Sequence, residues 1–524
     1  MYRANNHSNR QEILKRTTTM ITNDWSLKWA GFNADKIAVE EYETGLTLTY
    51  GQLNALGNSF SRYFTAELGL RKGDRIAILA ENCLEYIVLL SMAQKTGIIL
   101  IPLNYRLTSR EIEFLITDSN PDVIVVEDKF LGKVKSLGAF QKVTHQMSLD
   151  ELKRKLQDYL STGEGIAQQS AGTTHDDPVL IIYTSGTTAF PKGSVYTHGM
   201  MFWNSINTQL RLDITSADRS VNIAPPFHTG NWNVLLTPFL HHGAYTLIMK
   251  NFDAEAVLDV LENYNLTIFW AVPTMLKMMA DSPKFSASNL KKVRYIVVGG
   301  EAMPIPLIEK YHDKHLPIRQ GYGLTEVGPN VTSLNHQDAI RKAGSIGKPN
   351  FYYGAKLLDE KGNEVPDNHL GELVLSGPTV TPGYWNNADA TRQTIVDGWF
   401  HTGDIMKRDE EGFLFVIDRI KNMYISGAEN VYPAEVEYFL RGHEAVDAVA
   451  ILGVPDEKWG ESGMAFIVVK PGFVLSENDI LSFCEGKLAK YKIPKHIIFL
   501  DSLPKNDAGK IDRQHLRRIS TQSS

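Results

Sequence analysis

Residues 179–193 read VLIIYTSGTTAFPKG. The run Val179–Ile182 is apolar and β-branched, the pattern of a buried strand, and it passes directly into a polar run of Thr, Ser and Gly. Loops at the carboxyl ends of strands are where α/β sheets hold ligands. Small and hydroxylated residues let backbone N–H groups and hydroxyls converge on phosphate oxygens, and Lys192 is placed to neutralise charge. The stretch is not the loop of the P-loop kinases, because Pro191 stands before the lysine and Gly193 after it. A polar hairpin turn with a solvated Lys192 explains the same composition.

Outward from this stretch, short β-branched runs alternate with helical patterns from Asp74 onward: RIAILA, GIILIPL, DVIVVE, LIIYTS, VNIAPPF, YTLIMK, TIFWAVP and RYIVVGGE. Such alternation predicts βαβ units and mostly parallel sheets flanked by helices. Residues 161–178, rich in Gly, Ser, Thr and Gln, read as a surface linker. After Gly354 the texture becomes short strands and turns, a small antiparallel β region. The last hundred residues hold helical patterns at Pro433–Arg441 and Glu477–Lys490 with strands DAVAILGV, MAFIVVK and HIIFL. The expected fold is α/β, with a polar extension at 1–22, a large N-terminal domain at 23–417 and a small C-terminal α+β domain at 418–524.

The chain has 524 residues, 43% hydrophobic and 22% charged, with a net charge of -6, so it has no general attraction for nucleic acid or anionic lipid. Cys83 and Cys484 lie far apart without metal-ligand spacing, which fits core positions in a reducing, cytoplasmic setting. The longest apolar stretch, Tyr86–Leu103, is broken by Gln94, Lys95 and Gly97, so no transmembrane segment is expected. The first nineteen residues suit a targeting peptide, a disordered tail or a late start at Met20.

Further motifs follow in order: GYGLTE (321–326), GELVLSG (371–377), GWFHTGD (398–404), DRIKNMYISGAENVYPAEVE (418–437) and PKNDAGKIDR (504–513). With YTSGTTAFPKG they make six, and together they resemble the adenylate-forming superfamily, in particular its acyl-CoA synthetase and fatty-acid–CoA ligase branch. The resemblance implies an AMP-forming acid–thiol ligase. Such an enzyme joins a carboxylate to the α-phosphate of ATP, releases pyrophosphate, and lets the thiol of CoA displace AMP. Two anions must meet, so Mg²⁺ and lysine charge are needed. By resemblance Thr184 and Glu326 hold the metal-triphosphate, and Ser185, Gly186, Thr187, Thr188 and Lys192 cradle the phosphates. Gly300, Glu301, Tyr322 and Gly323 form the adenine pocket, and Thr325 meets the α-phosphate. Asp404 and Arg419 bind ribose, with Lys421 assisting at the AMP site. Lys510 is the catalytic lysine of adenylation, Asp418 the hinge, and Gly427 and Ala428 line the thiol tunnel.

Three positions depart from the family pattern: Ala189 and Ala428 stand where glycine is usual, and Asp507 adds a carboxylate near Lys510. For the acid, His228, Trp232 and Leu236 in PPFHTGNWNVLL suggest a pocket for an uncharged, apolar tail, with core packing the alternative for Trp232 and His228. The expected partners are a fatty acid, or alternatively an aryl acid, with ATP and CoA, and a homodimer is left open. A carrier protein as acyl acceptor and a non-enzymatic nucleotide-binding role are the competing readings. No carrier domain follows the last motif, since eleven residues remain after Arg513.

Overall fold

A computed structural model describes residues 23–162, 172–184, 191–300, 303–419, 422–426, 429–456, 459–485, 487–488, 490–506 and 510–522. The chain forms two compact units, one of residues 1–355 and 375–400, the other of residues 356–374 and 401–524.

In the first unit the alternating runs become a six-stranded sheet ordered His145–Ser148, Val123–Val126, Arg75–Leu79, Ile99–Pro102, Pro178–Thr184, Lys192–Thr197. All neighbours are parallel except the last pair. The inner strands are apolar through their centres because helices cover both faces, whereas the edge strands His145–Ser148 and Lys192–Thr197 are mixed. Ile76, Ile78, Leu180 and Ile182 enter one core, and Ala77, Leu79 and Ile181 another. A second sheet joins Thr47–Thr49, Ile37–Glu41, Tyr245–Ile248 and Arg219–Asn222. In a third, Ile268–Ala271, Tyr295–Val298 and Ile318–Tyr322 run parallel.

The stretch Tyr86–Leu103 shows why it does not read as one span. Helix Glu85–Thr96 ends at Gly97, whose φ of 70° closes the helix, and strand Ile99–Pro102 follows. Lys95 is buried, its ammonium held by Asp24 Oδ2 and Asn54 Oδ1, each at 2.7 Å. A lysine is tolerated in this core because it is paired and hydrogen-bonded. Cys83 and Cys484 are both buried and unbonded.

In the second unit, strands Leu370–Ser376, Trp399–Arg408 and Leu414–Arg419 are successive neighbours, lying mostly within that unit. A five-stranded sheet is built on the long hairpin Val446–Asp456 and Gly460–Val469, with His496–Phe499 parallel to the latter. Val449 and Ile451 point into one core and Ala450 and Leu452 into the other, so the middle of this strand too is apolar on both faces. Helix Pro433–Arg441 has the expected bounds, whereas the helix expected over Glu477–Lys490 is Glu477–Cys484. Glu485 is extended with ψ of 131°, and a short 3-10 turn follows at Lys490–Lys492. Among the described residues no helix is long and apolar enough to cross a membrane.

Candidate active site

The opening stretch lies between two antiparallel strands. Thr184 and Lys192 are Cα partners across this pairing, so the strand that follows the loop returns beside the first. The hairpin geometry of the alternative reading is therefore present, and it brings a hydroxyl and an ammonium to one end of the sheet. Ser185, Gly186, Thr187, Thr188 and Ala189 lie outside the described residues.

Glu326 reaches this hairpin from far along the sequence. It lies on the 3-10 turn Thr325–Val327, which follows strand Ile318–Tyr322. A Cβ on Gly323 would sit 2.0 Å from the Pro329 carbonyl oxygen, so only glycine lets the loop double back here. The Val331 amide closes that loop on the Tyr322 carbonyl at 3.0 Å. Thr184 Oγ1 donates to Glu326 Oε1 at 3.1 Å. Thr325 and Glu326 are both buried.

A residue not anticipated from sequence completes the cluster. The Tyr384 hydroxyl donates to the same Glu326 oxygen at 3.1 Å, and Lys192 Nζ lies 5.3 Å from its ring centroid. Burial and the neighbouring Glu326 carboxylate both push the phenol's pKa upward, so it remains a proton donor. Segment 381–385 is stitched to strand Lys192–Thr197 by Val195 N–H to Gly383 O at 3.1 Å and Trp385 N–H to Gly193 O at 2.7 Å. The Thr381 amide donates to the Glu326 carbonyl at 2.7 Å. Glycine and aromatic residues at 383–385 carry no motif of phosphate chemistry, which is why sequence reasoning passed over them.

Gly300, with φ of 89°, and Tyr322 each follow by two residues the paired positions Val298 and Gln320 of parallel strands. Both therefore emerge at the same carboxyl edge of the sheet, where a ligand can lie against backbone. Glu301 lies outside the described residues.

The three acid-pocket candidates differ in burial and surroundings. Trp232 is fully buried, edge-on to Tyr86 at 5.7 Å, and its indole N–H donates to Pro226 O at 2.6 Å, so it is a core residue. Leu236 is buried in the same core. Residues Asn231–Leu236 form a π-helix, in which the four-residue spacing still keeps Trp232 and Leu236 on one face, both in the same core, while His228 precedes it. His228 is half-buried, its ring 4.6 Å from Phe227. Trp270, whose ring would meet a Cβ on Gly230 at 2.7 Å, lines a small cavity of mixed polarity with Ser220, Asn222, Asn231, Leu236 and Thr246.

In the second unit Asp404 is buried and is the Cα partner of Arg419, so the two ribose candidates stand opposite on adjacent strands. Asp418 is also buried, accepting from Asn422 Nδ2 at 3.0 Å and from the Ala434 amide at 2.7 Å. Tyr432, at the N-cap of helix Pro433–Arg441, makes no side-chain cap, so Asp418 supplies an acceptor from outside the helix. Lys510 is exposed, with its amide donating to Asn506 Oδ1 at 3.0 Å and its carbonyl accepting from the Asn506 amide at 2.7 Å. Lys492 pairs with Glu435 and Lys495 with Asp456, each at 2.6 Å. Lys421, Gly427, Ala428 and Asp507 lie outside the described residues.

The AMP-binding enzyme family matches residues 27–385, and the C-terminal domain of AMP-binding enzymes matches residues 435–510. The chain belongs to the AMP-binding enzyme family. Similar members include a feruloyl-CoA synthase from Amycolatopsis sp, 35% identical over 94% of this chain and 98% of that protein. The long-chain-fatty-acid–CoA ligase FadD13 of Mycobacterium tuberculosis is 36% identical over 92% and 94%. Among solved members, a fatty acyl CoA synthetase of Mycobacterium tuberculosis has a TM-score of 0.78 at 35% identity, covering 97% of this chain and 99% of that one. The o-succinylbenzoate CoA synthetase of Bacillus subtilis with ATP and magnesium ion has a TM-score of 0.84 at 30% identity, covering 94% and 99%. This AMP-binding enzyme is accordingly an AMP-forming acyl-CoA synthetase, which activates a carboxylic acid with ATP and transfers it to CoA.

Proposed function

We propose that the acid is one with an uncharged, apolar tail, with fatty acids as the leading class, and that Mg²⁺ accompanies the ATP. The observation that supports Mg²⁺-ATP here is the junction in which Thr184 and Tyr384 meet Glu326 and Lys192 sits on the Tyr384 ring, while the apolar tail rests on the uncharged residues around Trp232 and Leu236. One carboxylate and one hydroxyl are hard oxygen donors, too few to cage a cation alone, which suits a metal that keeps waters and phosphate oxygens as its other ligands. Bound there, Mg²⁺ would supply Lewis-acid charge at the triphosphate.

The residues of the chain then divide the work. Lys192 holds the β- and γ-phosphates, while Gly300 and Tyr322 seat the base. Asp404 and Arg419 accept and donate to the ribose hydroxyls. Lys510 bridges the acid carboxylate and the α-phosphate as the carboxylate oxygen bonds to phosphorus and the bond to pyrophosphate breaks, offsetting charge that grows in the transition state. In the second step the thiol sulfur bonds to the acyl carbon, AMP leaves with the bonding pair, and the thiol proton passes to solvent. A turn at Asp418 between the steps would withdraw Lys510 and bring Gly427 and Ala428 to the thiol. The two unbonded thiols support a reducing, cytoplasmic setting.

Trp270 favours a second reading. Its indole over Gly230 gives the cavity a flat aromatic wall, which suits aryl acids. The test is acid-dependent pyrophosphate release over saturated fatty, aryl and dicarboxylic acids, with and without CoA, in the native enzyme and in Trp270→Ala. Fatty acids should lead in the native enzyme. Aryl preference, abolished in Trp270→Ala, would replace that reading, and preference for a dicarboxylic acid would refute the apolar pocket.

A further inference from the structure

Tyr384 touches both charged groups of the hairpin site. Its hydroxyl and that of Thr184 converge on Glu326 Oε1, and among the described residues no side chain donates to Oε2. Its ring lies beneath the Lys192 ammonium. Lys192 and Glu326 therefore share one aromatic neighbour, carry opposite charges, and form no ion pair with each other. A lysine and a buried carboxylate free to approach would close on one another, and each would then be neutralised before a nucleotide arrived.

We propose that Tyr384 is a positioning residue that keeps Lys192 and Glu326 apart, its ring seating the ammonium and its hydroxyl orienting the carboxylate so that one oxygen faces Mg²⁺-ATP. The inference rests on the adenylation reading above. Tyr384 is itself anchored on both sides in sequence. Gly383 accepts from the Val195 amide and donates its own N–H to Thr381 Oγ1 at 3.1 Å, and Trp385 donates to Gly193. Thr381 Oγ1 donates in turn to the Val195 carbonyl at 2.6 Å, tying the segment to the strand that carries Lys192. Gly383 has φ of 145°, and a Cβ there would meet Thr391 at 2.6 Å, so the approach of Tyr384 to the hairpin depends on glycine. The phenol contributes two separable effects: phenylalanine keeps the seat for the ammonium and removes only the hydrogen bond.

Calorimetric titration of the full chain with ATP, in Mg²⁺ and in EDTA, separates them, and thermal melting reports folding. Tyr384→Phe should bind ATP in Mg²⁺ about tenfold more weakly, as expected for loss of a hydrogen bond to a charged group, with ATP in EDTA within about twofold and an unchanged melting temperature. Tyr384→Leu should also weaken ATP in EDTA by a few-fold, because the ammonium loses its seat. Native affinity of Tyr384→Phe for ATP in Mg²⁺, or equal weakening with and without the metal, overturns the proposal. Should the native chain itself fail to bind ATP in Mg²⁺, the adenylation reading falls and the role of Tyr384 with it.

Discussion

The hairpin site of the first unit and the Lys510 turn of the second are built on opposite principles. At the hairpin, Thr184 and Tyr384 hold Glu326 through side-chain hydrogen bonds, and main-chain bonds lock each contributing segment. At the turn, Lys510 is exposed and its own backbone amide and carbonyl bond to Asn506. A group that must present fixed charge to a triphosphate gains from preorganisation, since rigid dipoles need no rearrangement during reaction. A lysine proposed to arrive for one step and leave for the next gains from an exposed place and a flexible stem. On the proposed roles, rigidity would follow the timing of each group's work.

The largest expected effect tests that contrast directly. Lys510→Ala should lower acid-dependent pyrophosphate release by about a thousandfold, while thioester formation from a preformed acyl-adenylate changes little. Equal losses in the two half-reactions would show that Lys510 belongs with the permanent site. Glu326→Gln keeps the size of the side chain and removes its charge. It should cost about a hundredfold in pyrophosphate release, partly restored by raising Mg²⁺, and a loss insensitive to metal would remove Glu326 from the metal role.

A third measurement concerns the stability of the first unit. Burial holds His198 down at about 4, and burial with its neighbour His242 holds His241 down at about 3. Both are neutral in the folded chain at pH 7, and their unfolded value is near 6.5. The unfolded state therefore binds more protons below pH 6.5, so this contribution is whole above that pH and falls as pH drops toward 4 and 3. Unfolding free energy should decline by up to about 1.4 kcal/mol per pH unit for each ring, and His241→Asn should flatten the slope. A slope unchanged by that substitution would place the acid sensitivity elsewhere.

The smallest effect belongs to Asp418. Asp418→Ala removes the acceptor of the Ala434 amide and should destabilise the second unit by about 1 kcal/mol in denaturant unfolding, with the midpoint of the first unit unmoved. If Asp418 is also the hinge, the variant should slow the thioester step more than adenylation. A shift in neither stability nor step balance would leave the buried carboxylate without either role.

Much of the fold was legible because buried parallel strands produce a local signal. The stretches IAIL and VIVV at the centres of RIAILA and DVIVVE are apolar at every position, since both faces of the sheet are covered. The π-helix at Asn231–Leu236 was not legible, because one wider turn leaves no mark on the apolar pattern, and between the two readings of Trp232 its burial was decided by packing against Tyr86 and the Pro226 carbonyl. Tyr384 was silent for another reason. Its chemistry depends on a carboxylate 58 residues earlier and an ammonium on a separate strand.

Sequence alone determined the class of elements, the family resemblance and the set of charged residues available for phosphate chemistry, because periodicity and motif spacing are properties of neighbouring residues. Only tertiary structure decided that Thr184 and Tyr384 meet on Glu326 with Lys192 over the tyrosine ring, and that Trp270 faces Gly230. Contacts between distant segments depend on register, loop closure and the room left by particular glycines, and none of these is carried by local pattern.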